Sequence, residues 1–329
     1  MLFQNAKHPL EMKVTHLNKV KAQRKQQLQL QMVDDKGLTS LISRALTDLT
    51  KKENTKKTPK FDLFKNKPTN KNCFVLDFHG DIKATEVQQL REEISTLLTV
   101  AQAEDEVIVR LESSGGMVHA YGLAAAQLAR IKEAGLNLTV CIDKVAASGG
   151  YMMACVADKI LAAPFAVVGS IGVVAQVPNF HDLLEKHDID VEVFTAGKYK
   201  RTVTVFGENT EEDKQKFQQE LEETHKLFKD FVHKYRPSLD VEQVATGEHW
   251  YGEDAITRNL VDALQTSDSY ILEKMTDSEL YAIQSRQKPT IAQKLGISQA
   301  AQAVVATAID KLPDALAKLE SAKMPMVKK

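Results

Sequence analysis

"EVIVRLESSGGMVHAYGLAAAQLARIKEAGLNLTVCID", residues 106–143, decides the fold. "EVIVRLES" (106–113) is a short, β-branched apolar run and reads as a buried strand. "MVHAYGLAAAQLARIKEAG" (117–135) has helical spacing and ends on Gly135, a residue suited to a left-handed helix stop. "LNLTVCID" (136–143) is a second strand. A strand, a helix and a strand in so short a span form a right-handed crossover with parallel strands.

The same alternation continues on both sides. "CFVLDFHG" (73–80) reads as a strand, and 85–101 as a helix with a capping box of Thr85 and Gln88. A buried helix is expected from Ser148, and strands over 159–164, 167–177 and 190–196. Helices are expected over 180–188 and 209–236, with a helix, turn and helix over 241–264. The fold class is therefore α/β, a mostly parallel sheet flanked by helices. Residues 1–72 are polar and lysine-rich and read as an extension and linker, with weak helices near 10–32 and 38–50. Past about 266 the sheet character fades. Residues 266–329 read as a helical tail, including an alanine-rich helix pair over 297–319 around Pro313.

Composition narrows the function. The 329 residues are 43% hydrophobic with a net charge of −1, unlike the strongly basic balance of a nucleic-acid binder. The three cysteines, Cys73, Cys141 and Cys155, sit in apolar surroundings and read as buried inert thiols, neither disulfides nor zinc ligands. No metal and no cofactor is expected. No run approaches the length of a membrane span, and residues 1–32 lack the apolar core of a signal peptide. The basic extension leaves association with an anionic membrane surface open, beside a plain solvated tail.

Eight of the 15 glycines fall between 115 and 172, six of them as the pairs Gly115/Gly116, Gly149/Gly150 and Gly169/Gly172. Each pair follows or interrupts an apolar strand, where an open parallel sheet binds its ligands. Neither a G-x-x-x-x-G-K-[ST] nor a G-x-G-x-x-G string occurs near them, so nucleotide binding lacks its signature. The remaining use for convergent backbone N–H groups is an oxyanion hole. Ser148 opens a helix immediately before Gly149 and Gly150. It is either an N-cap or a nucleophile whose oxyanion lies beside the Gly149 N–H, with Gly115 and Gly150 leaving room for substrate. A serine nucleophile needs a base. His119 and His181 lie nearest the sheet edge, and Lys198 and Lys200 follow the run 190–196; spacing alone does not choose among them. The S-x-x-K string at Ser285–Lys288 lies in a polar stretch without nearby glycines and reads as chance.

Four ordered motifs then resemble a known family: "LESSGGMVHAYGLAAAQL", "DKVAASGGYMMACVADKILAAPFAVVGSIGVV", "TAGKYKRT" and "GEHWYGEDAITRNLVDAL". Together, over about 72–265, they resemble the signal peptide peptidase A family, nearest its SohB-type branch of bacterial envelope proteases. The resemblance implies the ClpP/crotonase-type fold and a Ser–Lys dyad. By position, it makes Ser148 the nucleophile, Lys200 the general base and Ser170 the residue that orients the lysine. Gly116 and Gly149 become the oxyanion donors. It further implies a peptide or protein substrate, a homo-oligomer, and a place at the bacterial envelope, with a peptidase domain over 73–265. Ser114 stands where the family commonly has proline, and no N-terminal membrane helix is written in the chain. A crotonase-like acyl-CoA enzyme would need a carboxylate base, and none follows Gly150 before Asp158. A non-catalytic envelope scaffold is the other alternative.

Overall fold

The computed structural model describes residues 10–32 and 71–287. The chain divides into two compact units. Met12–Ser285 forms one; the other joins Met1–Glu11 with Arg286–Lys329, most of it outside the described residues. The expected helices over 38–50 and 297–319 also lie outside them.

The described residues begin with β1 (Leu10–His16) and α1 (Leu17–Gln31), so the helix expected over 10–32 begins as a strand. Then come β2 (Lys71–Gly80), α2 (Val87–Leu97), β3 (Glu106–Ser113), α3 (Val118–Glu133) and β4 (Asn137–Ile142). Next are β5 (Val145–Ala147), α4 (Gly149–Ala154), β6 (Lys159–Ala162), β7 (Val167–Gly169), α5 (His181–Glu185) and α6 (Glu211–Tyr235). Last are α7 (Val241–Val244), β8 (His249–Tyr251), α8 (Gly252–Thr257), β9 (Ala263–Leu264), α9 (Ser267–Lys274) and β10 (Ser278–Gln287). The sheet runs β1-β10-β2-β3-β4-β6-β9, and β5 leaves the end of β3 to pair with β7. The pairings of β2, β3, β4, β5, β6, β7, β9 and β10 are parallel, and β8 meets β7 antiparallel.

Helices cover both faces, as the α/β class requires. On one face Leu90, Ile94, Leu128, Ile131, Met153, Phe228 and Val232 pack on Leu76, Phe78, Val107, Val109 and Val140. On the other, Tyr270 and Ile271 of α9 lie over Cys73, Val75, Ile108, Cys141 and Leu161. Burial pushes the thiol of Cys73 up to about 11 and that of Cys141 up to about 12, and it raises Cys155 as well, so all three stay protonated.

Several expectations are corrected. The Thr85–Gln88 capping box does not form. The Thr85 N–H and hydroxyl both donate to Asp81, at 2.8 and 3.0 Å, while the Gln88 side-chain oxygen Oε1 accepts from Arg91. The strand expected over 167–177 stops at Gly169, because Gly169 (φ 100°) and Ser170 (φ 52°) turn the backbone out of the pleat. Residues 190–196 form no strand; they meet no sheet edge, and Phe194 is 86% exposed. The stretch 241–264 holds two short strands beside its two helices, β8 and β9. The expected helical tail from 266 begins with α9 but continues into β10, which lies parallel to β2 inside the sheet. Ser285, of the chance S-x-x-K string, is buried in β10 with its hydroxyl on Glu93 at 2.9 Å; Lys288 lies outside the described residues.

Candidate active site

Register brings the glycine pairs together. Ser113 at the end of β3 pairs with Ala146 of β5, and Ala147 of β5 pairs with Gly169 of β7. The carboxyl ends of three neighbouring parallel strands therefore deliver Gly115/Gly116, Ser148–Gly150 and Gly169/Ser170 to one edge. There is no space to spare. A Cβ on Gly115, whose φ is +90°, would lie 2.7 Å from the Gly149 nitrogen and 2.8 Å from the Ser148 Cβ. A Cβ on Gly150 would lie 2.4 Å from the Ser113 carbonyl oxygen, and one on Gly116 would strike the backbone of Ile82. Gly150 thus serves backbone packing against β3, in addition to any room it leaves for substrate.

Ser148 has φ 53° and ψ −119°, a conformation unusual for a residue with a side chain. Its N–H donates to the Gly169 carbonyl at 2.8 Å, which ties the β5–α4 turn to β7. It occupies the N-cap position of α4, yet its hydroxyl makes no capping bond. The N-cap alternative therefore fails on geometry: the side chain stands at the N-cap position and bonds none of the free N–H groups of the first turn.

Ser148, Gly149, Gly116, Met152, Phe228 and Phe231 all line one cavity of about 150 Å³. Its far wall, including Thr224 and Leu227, comes from α6, nearly eighty positions along the chain. The Gly116 N–H has no hydrogen-bond partner among the described residues, and the Gly149 N–H, as the first of α4, has no acceptor within its helix. Two backbone donors are thus unengaged beside a strained serine at the mouth of an apolar cavity.

Ser170 follows Gly169 with φ 52°, half-buried, its N–H on the Glu248 carbonyl at 2.6 Å. Lys200 stands apart from this group. It lies on an exposed turn with its N–H on the Gly197 carbonyl at 3.1 Å, and it does not line the cavity. Lys198 is engaged otherwise: its amine pairs with Glu212 at 2.9 Å, and that hydrogen bond, with the nearby Tyr199, raises its pKa. Such a lysine is held protonated and suits no general base. His119 is exposed on α3, and His181 opens α5; neither lines the cavity. Asp158, the first carboxylate after Gly150, is committed to Lys132 at 2.8 Å and to the Leu138 N–H at 2.9 Å.

Sequence reasoning missed the residues beneath this edge. Tyr121 is fully buried, with its hydroxyl 2.5 Å from Ser113 Oγ, and a Cβ on Gly149 would lie 2.4 Å from its ring. Trp250 of β8 packs against Gly169. The signal for Tyr121 was a lone hydroxyl-bearing aromatic in an alanine-rich helix, one turn after the glycine pair.

The fold and this edge define a class: an α/β protein whose candidate site lies at the carboxyl ends of parallel strands, around a serine held between backbone donors. The chain belongs to peptidase family S49. The model of "Peptidase family S49" matches residues 130–281, and that of "Peptidase family S49 N-terminal" matches residues 2–128. A "Probable protease SohB" of Haemophilus influenzae is 65% identical over 223 residues, which cover 68% of this chain and 63% of that protein. A "Probable protease SohB" of Buchnera aphidicola subsp. Schlechtendalia chinensis is 55% identical over 218 residues, 66% of this chain and 70% of that one. Among solved structures, a "1510-N membrane-bound stomatin-specific protease" aligns over 65% of this chain and 97% of its own, at 12% identity and a TM-score of 0.43. The family membership bears out the resemblance read from the four motifs. Among the described residues, no helix is long and apolar enough to cross a membrane.

Proposed function

We propose that this chain is a serine endopeptidase that works through Ser148 and Lys200. The observation that carries the proposal is the Ser148 hydroxyl, excluded from capping and set at the mouth of an apolar cavity beside two unengaged N–H groups. In this mechanism neutral Lys200 takes the Ser148 proton as Oγ attacks the scissile carbonyl carbon. The N–H groups of Gly116 and Gly149 hold the oxyanion of the tetrahedral intermediate. Collapse breaks the C–N bond, the protonated lysine gives its proton to the leaving amine, and water then hydrolyses the acyl-enzyme. Ser170 accepts or donates to the lysine amine and holds it in line.

A lysine serves as base only where burial or neighbouring charge strips its proton. In the single chain Lys200 is exposed, and the same stretch of sequence carries the exposed apolar side chains of Val193, Phe194, Tyr199 and Phe206. A second copy of the chain, covering that apolar run, is the proposed source of the burial; the working form is then a homo-oligomer. The apolar cavity favours substrates with apolar side chains, which suits membrane-derived, signal-peptide-like or unfolded envelope polypeptides. The proposed location is the bacterial cell envelope, in association with the membrane.

The test is hydrolysis of an apolar peptide by wild type, Ser148→Ala and Lys200→Ala, with labelling by a serine-reactive phosphonate. Both variants are expected to lose at least about 10³ of the rate while keeping their unfolding midpoint. The label is expected on Ser148. Near-normal turnover by either variant, or label on another serine, overturns the dyad.

A further inference from the structure

We propose that Tyr121 is a positioning residue that sets both oxyanion donors, through a hydrogen-bond chain from its hydroxyl and through the face of its ring. The inference rests on the assignment of Gly116 and Gly149 as those donors. Tyr121 lies in the first turn of α3, with none of its surface exposed. Its hydroxyl lies 2.7 Å from the Asp81 carbonyl oxygen and 2.5 Å from Ser113 Oγ. A carbonyl only accepts, so the phenol proton goes to Asp81. The Ser113 hydroxyl, with the Gly80 carbonyl at 3.4 Å as its other acceptor, then donates to the much nearer Tyr121 oxygen, which leaves the Ser113 oxygen free to accept the Gly115 N–H at 3.1 Å. One directional chain results, from the Gly115 N–H through Ser113 and Tyr121 to the Asp81 carbonyl.

The chain has a geometric consequence. The Gly115 N–H is drawn inward, away from the cavity. The next peptide is held from its other side, where the Met117 N–H donates to the Ile82 carbonyl at 2.8 Å. Ile82 follows the residue whose carbonyl Tyr121 holds. Between these two anchors only the Gly116 N–H is left without an internal partner. The second donor is set by the ring: Gly149 rests on the Tyr121 face so closely that any side chain there would collide with Cγ and Cβ. A Cβ on Gly80 would likewise lie 2.3 Å from the Tyr121 hydroxyl, so the end of β2 is shaped around the same group. Burial raises the phenol's pKa, so it stays a donor across the working pH range.

Tyr121→Phe keeps the ring under Gly149 and removes only the hydroxyl link. It is expected to lower kcat for peptide hydrolysis about 10–100-fold with KM within about twofold, because a loosened donor acts on the transition state more than on bound substrate. Ser113→Ala interrupts the same chain one link away and is expected to match it. The double variant is expected to lose no more than the worse single one, since members of one chain are not additive. Ser113→Ala also supplies the test should Tyr121→Phe fail to fold. A kcat within twofold of wild type in either folded variant overturns the proposal, as does a multiplicative double loss or a loss confined to KM. Phosphonate labelling of wild-type Ser148 separates the two levels. If Ser148 is not labelled, the dyad assignment fails first; if it is labelled and Tyr121→Phe is fully active, only the positioning role fails.

Discussion

At Ser148 a left-handed backbone carries a side chain, an arrangement that costs about 1–3 kcal/mol and persists only where its surroundings over-determine it. The surroundings here are the Gly169 carbonyl on its N–H and Gly115 against its Cβ. Gly115→Ala places a methyl on a residue with φ +90° and into contact with Ser148 and the Gly149 nitrogen. It is expected to lower kcat by about 10² or more, with a stability loss of about 1–3 kcal/mol. Peptide hydrolysis and urea unfolding measured on one preparation check both; retention of kcat means that the glycine serves the turn alone. The glycine pairs and the serine were legible as residues. The unusual dihedral of Ser148 was not, because its N–H is tied to Gly169 of β7, some twenty positions further on. Lys200 could be preferred to Lys198 only through the motif; in the structure the Glu212 pair commits Lys198.

At the scale of elements, α2 and β10 are joined by a buried carboxylate. Glu93 is 5% exposed and accepts the Ser285 N–H at 2.6 Å and its hydroxyl at 2.9 Å. Desolvation, aided by Asp77 and Glu86, holds its carboxyl above the ordinary 4.5. The native state therefore binds this proton more tightly than the unfolded chain does. The favourable contribution belongs to low pH and is lost as pH rises through the raised value. Glu93→Gln keeps an acceptor for Ser285 without the charge. Its thermal midpoint is expected to match wild type near about pH 4 and to exceed it increasingly toward about pH 8. A gap that shrinks or reverses with rising pH counts against this account. Nothing local announced the contact: "IQSRQ" (283–287) is too polar to read as a strand, yet β10, paired with β2 over Ser278–Ala282, continues through it to Gln287.

Across the whole molecule, α6 is what closes the site, and Arg236 after its last turn anchors it. The guanidinium bonds both carboxylate oxygens of Asp262, at 2.9 and 2.7 Å, and the Asn259 carbonyl at 3.0 Å. Asp262 in turn accepts the Ile160 N–H at 2.7 Å, so one cluster locks α6 to β6. Arg236→Met removes one partner of a largely buried pair and is expected to cost about 3 kcal/mol. Chemical denaturation reads that loss, and a cost under about 1 kcal/mol shows that α6 is held by Phe228 and Val232 alone.

By itself the sequence determined the α/β class, the crossover units over 73–143, the long α6 and the serine ahead of a glycine pair. All of these follow from local periodicity, turn residues and short-range order. The tertiary structure decided what depends on distant neighbours: the membership of β1 and β10 in the sheet, the irregular course of 190–196, the Tyr121–Ser113 chain and the apolar wall from α6. A strand is stabilised by the edge it meets and a cavity by the surfaces that face it, and neither is encoded within a few residues of the position it governs.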